Sequence, residues 1–359
     1  MLRRALILAL ALLTLPAHPQ APLTPFSLDH PAMGTTFTLV VYASSQQQAD
    51  DFGALAFDEI DRLEALLSNY QPLSELSRIN ASAANAPVTT DAETFRFLTE
   101  AQLWSRRSKG AFDITVGPLM RLWGFFRQRH TLPAPADLAR VHRSVGWQHV
   151  LLDPSVRTVR FNAPGVELDP GGIGKGFAVD SAVALLRAHG VTAALLSAGS
   201  STVYAIGSPP GQPGWRIRVP DPRVPGSSDP SSSSGAISTA LLRDTSLSTA
   251  KCGDKRVVIR GRTFCHIMNP ASGRPVQDML SATIVDPSAT ASDAISNVLF
   301  VQGPTAGTAF LHTHRPAAAA LILSGHGNAI RSCSAPNWSW PISSSPCTAQ
   351  AGSHRADVK

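Results

Sequence analysis

Long apolar runs are scarce in this chain of 359 residues. Only the first twenty positions are strongly apolar, which excludes a multi-span membrane protein. Charged residues make up 16% and aromatics 6%, and no run of Lys or Arg exceeds two. The formal charge of +6 is therefore scattered, with neither the basic stripe nor the stacking platform that nucleic-acid binding requires. Scattered positive charge suits a small anionic ligand better. There are four cysteines and no C-x2-C spacing, which argues against a structural zinc site. The 26 Gly and 28 Pro carry no period, so a fibrous class is excluded, and no internal repeat is present. The length fits two compact lobes, or one large domain with terminal extensions.

The N-terminus reads as an export signal over residues 1–21. Arg3 and Arg4 form a basic start, Ala5 to Leu15 an apolar stretch, and Ala17 and Ala21 offer cleavage points after Pro16. An uncleaved anchor is the competing reading, but the apolar stretch is short for a span of roughly 20 residues. The expected location is outside the cytoplasm, in a bacterial periplasm or on the periplasmic face of the inner membrane. Export gives the cysteines interest. Pairing of Cys252 with Cys265 and of Cys333 with Cys347 is one of three connectivities, and free thiols at Cys252 and Cys265 remain an alternative.

Helical periodicity covers Ala49–Leu67, Ala92–Ser108, Ala136–Val145, Phe177–His189 and Thr290–Val301. Thr90 with Glu93 reads as a capping box for the second of these, and Gly303 as the stop for the last. Strands are expected at Thr35–Tyr42, Val150–Leu152, Val156–Phe161, Ala193–Leu196, on either side of Arg260-Gly261, and at Ala317–Leu323. Residues 221–235 read as a flexible insertion and residues 331–359 as a disordered tail. Helices and strands mix without strict alternation, so the fold class is α+β.

Five stretches carry chemistry. In ELDPGGIGKGFAVD (residues 167–180) closely spaced glycines and Lys175 meet a helix N-terminus, the physics of a phosphate cradle. It is neither a Walker loop nor a dinucleotide fingerprint, and an ordinary strand–turn–helix connection is the plain alternative. In HIMNPASGRPV, His266 precedes a restricted Asn269-Pro270 turn, suited to a general base or to a partly buried structural role. Asp293 and Asn297 stand one helical turn apart and present two oxygens on one face, as a hard cation or a solvated surface would have it. Phe112 and Trp123 could line a ring pocket with Asp113 accepting from ring or sugar donors, or could form a core turn. Tyr70 offers a ring for a planar ligand, or closes a capped helix end.

Taken in order, MGTTFTL, LSNYQPLSELSRIN, GAFDITVGPLMRLWGF, ELDPGGIGKGFAVD, HIMNPASGRPV and SDAISN resemble the FAD:protein FMN transferase (ApbE) family, from about Asp29 to Ile330. The resemblance implies a T-fold-related α+β architecture over residues 29–330. It also implies Mg²⁺-dependent transfer of FMN from FAD to a threonine hydroxyl of an exported or membrane-bound acceptor protein, with release of AMP. FAD hydrolysis to FMN and AMP, or FAD binding without turnover, are the alternatives within the family. Carried over by motif, Met33, Tyr70, Ala111, Phe112, Asp113, Lys175, Asp180 and Ile267 contact the flavin nucleotide. Gly174 through its carbonyl, Asp293 and Asn297 hold the metal, and His266 takes the proton of the incoming nucleophile.

Three positions depart from the family pattern. Asn297 stands where Thr is usual, Asn269 where Asp is usual, and Gly199-Ser200-Ser201 where Gly-Gly-Asp is usual. Two acid or hydroxyl positions are thus amides, which bears on turnover. Gly174 replaces a common Ala, which is harmless where only the carbonyl is used.

Overall fold

The computed structural model describes residues 22–126, 132–222, 224, 235–252, 256–326, 329–334 and 337–342. Its centre is an eight-stranded sheet whose spatial order follows the chain: Thr24–Ala32, Thr35–Ala43, Ala194–Ala198, Thr202–Ile206, Thr245–Lys251, Met279–Asp286, Ala319–His326 and Ala329–Ser334. Every neighbouring pair is antiparallel.

The alternation of side chains along these strands builds two cores. Phe37, Leu39, Val41, Leu196, Tyr204, Ile284 and Ile322 face one side. There they meet helices α1 (Gln46–Leu67), α2 (Glu75–Ser82), α3 (Ala92–Arg107), and two described below. Val203, Ala205, Leu247, Val285, Leu321 and Leu323 face the other. That side is covered by the hairpin Trp215–Pro220/Ala236–Leu242 and by Trp338. Each fully buried Phe or Leu contributes about 1.5–3 kcal/mol, so two-sided burial is what fixes the register. A third, smaller core joins α4 (Gly117–Leu122) and α5 (Pro135–His142) to the hairpin Val257–Ile259/Arg262–Phe264, through Leu119, Trp123, Leu138 and Phe264.

Helix α6 (Gly174–Ala188) begins three residues before the expected Phe177 and buries Phe177, Val179, Ala182, Val183 and Leu186. Helix α7 runs over Ala289–His314, with Gly303 at φ 72° breaking it, so the expected stop is present but helix resumes at Pro304. Proline tolerates a first helical position because its missing N–H has no intrahelical partner there.

Three expectations are corrected. The cap of α3 is Asp91, whose carboxylate accepts from the Glu93 N–H, while the Thr90 hydroxyl donates to the Arg157 carbonyl. The domain does not start at Asp29: Thr24–Ala32 is an edge strand, where Pro25 and Pro31 are tolerated. Nor is residue 331 the start of a disordered tail. Ala329–Ser334 completes the sheet, Trp338 is buried, and the Ser238 hydroxyl donates to the Pro341 carbonyl. Of the segment 221–235, Asp221 and Gly235 are joined by a backbone hydrogen bond. The expected export signal, most of that insertion, Cys347 and residues 343–359 lie outside the described residues.

Candidate active site

Helix α6 has no side-chain cap of its own: its N-cap, Ile173, offers none. The free Gly176 N–H instead donates to Asp293 Oδ2 of α7 at 3.0 Å. A methyl group at Gly176 would lie 2.2 Å from the Ala289 carbonyl oxygen and 2.7 Å from Asp293 Cβ. The glycine is thus required by the closeness of the two helices. Gly172 is wedged in turn between Phe112 and Asn297, 3.1 and 3.4 Å from where its Cβ would stand. The Asn297 amide donates to the carbonyls of Gly172 and Asp293. The glycine turn, the two oxygen residues of α7 and Phe112 therefore converge on one spot.

Asp293 is buried, and desolvation raises its carboxyl pKa, with Lys175 and the Gly176 N–H acting in the opposite direction. Lys175 is half-buried at the first turn of α6, its Nζ donating to the Gly171 carbonyl at 3.4 Å. Asn80 ties α2 to this turn from behind, pairing its amide with both backbone groups of Leu168. Tyr70 is 70% exposed and its ring lies 5.2 Å from that of Phe126. Partial burial and the nearby Asp169 raise its phenol pKa. Met33 occupies the φ 49° turn between the first two strands, over an open depression of about 620 Å³ that Glu64 also lines. Ala111 and Ile267 pack on the main core.

Two residues expected to touch the nucleotide are engaged elsewhere. Asp113 is buried and caps its own turn: Oδ1 accepts from the Thr115 N–H and hydroxyl, and Oδ2 from the Trp147 N–H. Burial raises its pKa. The carboxylate thereby holds the loop that carries Phe112. Asp180 accepts four hydrogen bonds from the start of α7, from the Ser288 hydroxyl, the Ala289 N–H, and the Thr290 N–H and hydroxyl, at 2.7–2.8 Å. Oδ2 takes three of these bonds and Oδ1 one.

His266 belongs to a different structure. Cys252 and Cys265 form a disulfide, closing the arm that carries the hairpin 257–264 immediately before it. After it comes the hairpin Met268–Asn269/Arg274–Pro275. Cys265 and Ile267 face the main core, Phe264 and Met268 the small one, so His266 stands at the seam between them. Trp123 Nε1 donates to the Gly273 carbonyl, and His142 Nε2 is 2.7 Å from the Pro270 carbonyl, which docks the arm on α4 and α5. Asn269 accepts from the N–H groups of Ala271 and Ser272 through Oδ1, an acceptor task that an amide performs as a carboxylate does.

A family model matches residues 33–322, that of the ApbE family. The chain belongs to that family. The FAD:protein FMN transferase of Chlamydia pneumoniae is 30% identical over 273 residues, 74% of this chain and 79% of that protein. The crystal structure of the ApbE protein from Thermotoga maritima aligns with a TM-score of 0.76 at 28% identity, over 86% of this chain and 96% of that one. The apo flavinyl transferase ApbE of Pseudomonas stutzeri aligns equally well, with a TM-score of 0.76 at 25% identity, over 88% of this chain and 96% of its own. The α+β class of the ApbE structures is the class found here.

The residues of this ApbE member fit a hard divalent cation. Its seat offers a carboxylate, an amide oxygen and peptide oxygens, the donor type that Mg²⁺ takes together with substrate phosphates. No cluster of three or more His, Cys, Asp or Glu exists among the described residues, and Asp293 is the one carboxyl among the three expected ligands. A bound cation would favour the ionised form of this buried carboxyl. Asn80, Ser288 and Thr290, which hold the glycine turn and the start of α7, were given no task from sequence; the only signal for the last two is their place at the start of an apolar helix.

Proposed function

We propose that this chain transfers FMN from FAD to a threonine hydroxyl of an acceptor protein, with Mg²⁺ as the required ion and AMP as the leaving group. Membership of the ApbE family across residues 33–322 carries the reading, and the curated relative named for this reaction supports it. The convergence of a glycine-rich helix start, Lys175 and the Asp293–Asn297 pair suits a diphosphate. The glycine N–H groups and the positive end of α6 draw the anion in, and Lys175 adds a mobile charge.

In this mechanism the threonine oxygen forms a bond to the FMN phosphorus, and the anhydride bond to the AMP phosphate breaks. The threonine proton passes to the His266 imidazole, and AMP departs with the bridging oxygen. Asp293, Asn297 and the Gly174 carbonyl would hold Mg²⁺, which when bound neutralises charge on the diphosphate. Phe112 and Tyr70 flank the isoalloxazine, with Met33, Ala111 and Ile267 completing its surroundings. Asp113 and Asp180 act behind this layer, by holding the Phe112 loop and the start of α7.

We place the mature chain outside the cytoplasm, in a periplasm, acting on an exported or membrane-bound acceptor. The leader-like N-terminus supports this, and the Cys252–Cys265 disulfide suits an oxidising compartment. The test is incubation of the mature chain with FAD, a threonine-bearing acceptor and either Mg²⁺ or EDTA, followed by mass measurement. Acceptor heavier by one FMN, with one AMP per event and only with Mg²⁺, is the expected result. Free FMN with unmodified acceptor would put water in place of threonine; bound FAD left intact in Mg²⁺ would contradict the reading.

A further inference from the structure

The two helices that carry the proposed metal seat cap one another. Helix α7 has no acidic residue in its first turn, and helix α6 has no side-chain cap. Each obtains from the other what its own sequence lacks. Asp180, on the second turn of α6, takes the Ala289 and Thr290 N–H groups, two of the four donors that a helix start leaves without an intrahelical partner. Ser288, the cap of α7, accepts from the Ala291 N–H while donating its own hydroxyl to Asp180. Asp293, on the second turn of α7, returns the favour by taking the Gly176 N–H of α6. Between the two links Gly176 allows backbone contact with Ala289, so there is no slack for one helix to slide along the other.

We infer that Asp180 is a positioning residue: through this reciprocal cap it fixes where Asp293 and Asn297 stand relative to Gly174, and so sets the metal affinity of the site. The inference rests on the metal seat of the proposed function. It departs from the direct nucleotide contact that the sequence resemblance implies for Asp180. A merely local cap would affect only α7, whereas the reciprocal arrangement also reaches the Gly176 N–H of α6 through Asp293.

The test uses the mature chain and Asp180→Asn, which keeps the size of the side chain but replaces an acceptor oxygen with a donor. Three quantities are read: Mn²⁺ affinity by paramagnetic resonance, with FAD present, FAD affinity in EDTA, and amide hydrogen exchange at Gly176. The expected result is Mn²⁺ binding weaker by about 10- to 100-fold, the range for removing a group that orients a metal ligand. FAD affinity in EDTA stays within about two-fold, and Gly176 exchanges faster. Should Asp180→Asn fail to fold, Thr290→Val removes only the hydroxyl bond at 2.7 Å and should move the same readouts less far. Unchanged Mn²⁺ affinity and unchanged Gly176 exchange in a folded variant would overturn the inference. So would a loss of FAD affinity in EDTA with Mn²⁺ binding intact. If the wild-type chain moves no FMN while these shifts still occur, the proposed reaction fails and the reciprocal cap stands.

Discussion

The helix pair α6–α7 and the arm of residues 252–276 hold their functional groups by opposite means. The pair relies on backbone closeness: Gly176 against Ala289, with Asp180 and Asp293 each satisfying the other helix's start. Among its described residues the arm has only short strand pairs, and its fixity comes from the Cys252–Cys265 bond, the Asn269 turn and the docking of Gly273 and Pro270 on Trp123 and His142. The difference is instructive for a phosphoryl transfer. Groups that bind a diphosphate and its cation gain from a rigid seat. His266, the proposed proton acceptor, sits at a seam between two cores, on a segment held by its disulfide and by side chains of α4 and α5.

The comparison can be broken at several points. Gly176→Ala has the largest expected effect, because a Cβ there meets backbone and not a flexible side chain. A loss of about 3 kcal/mol or more is expected in urea unfolding, together with loss of the metal seat; a variant of wild-type stability would show that the helices are not in close contact. Next, His266→Ala should lower the transfer rate by about 10²–10⁴-fold, the range for a general base, while Mn²⁺ binding and melting temperature hold. An equal loss of Mn²⁺ binding would place His266 with the helix pair.

Replacing both Cys252 and Cys265 by Ser sharpens the contrast. The two are separated by 13 residues, and a loop of that size corresponds to about 3 kcal/mol at most. Faster amide exchange should be confined to the arm, with α6 and α7 unchanged; exchange that spreads into both helices would make the regions a single unit. The smallest effect concerns Asp113, whose pKa burial raises. Below about pH 4, the usual carboxylate range, the group is neutral whether folded or unfolded and costs nothing. As pH rises from there through the elevated folded pKa, the folded state must ionise a buried group and loses stability, and the loss is constant above it. Asp113→Asn should flatten that part of the stability profile, measured as urea midpoints at stepped pH. Identical slopes in both proteins would refute the assignment.

Much of this was legible in the residues, and the failures have physical causes. An apolar, β-branched run made Thr35–Tyr42 readable, and 3.6-residue periodicity made Ala49–Leu67 readable, because both are local signals. Thr24–Ala32 was hidden by Pro25 and Pro31, which are excluded from central strands but admitted at an edge. The strand Ala329–Ser334 was obscured by its Ser-rich composition, since it is the pairing with Ala319–His326 that makes it a strand. At the candidate site, the glycine turn, Lys175, Asp293 and Asn297 were singled out from motif and helical spacing. The task of Asp180 was not, since its partners lie 108 to 110 residues away and no local pattern marks them. Asp113 was read as a ligand contact because it is an acid beside an aromatic, and only the position of Trp147, 34 residues on, shows that its second oxygen also accepts a backbone N–H.

The most direct measurement is a crystal structure of the mature chain with FAD and Mn²⁺, using the anomalous signal to find the metal. The account predicts one peak within ligand distance of Asp293, Asn297 and the Gly174 carbonyl, in contact with the FAD diphosphate. A diphosphate bound away from the start of α6, or a metal held by other residues, would contradict it.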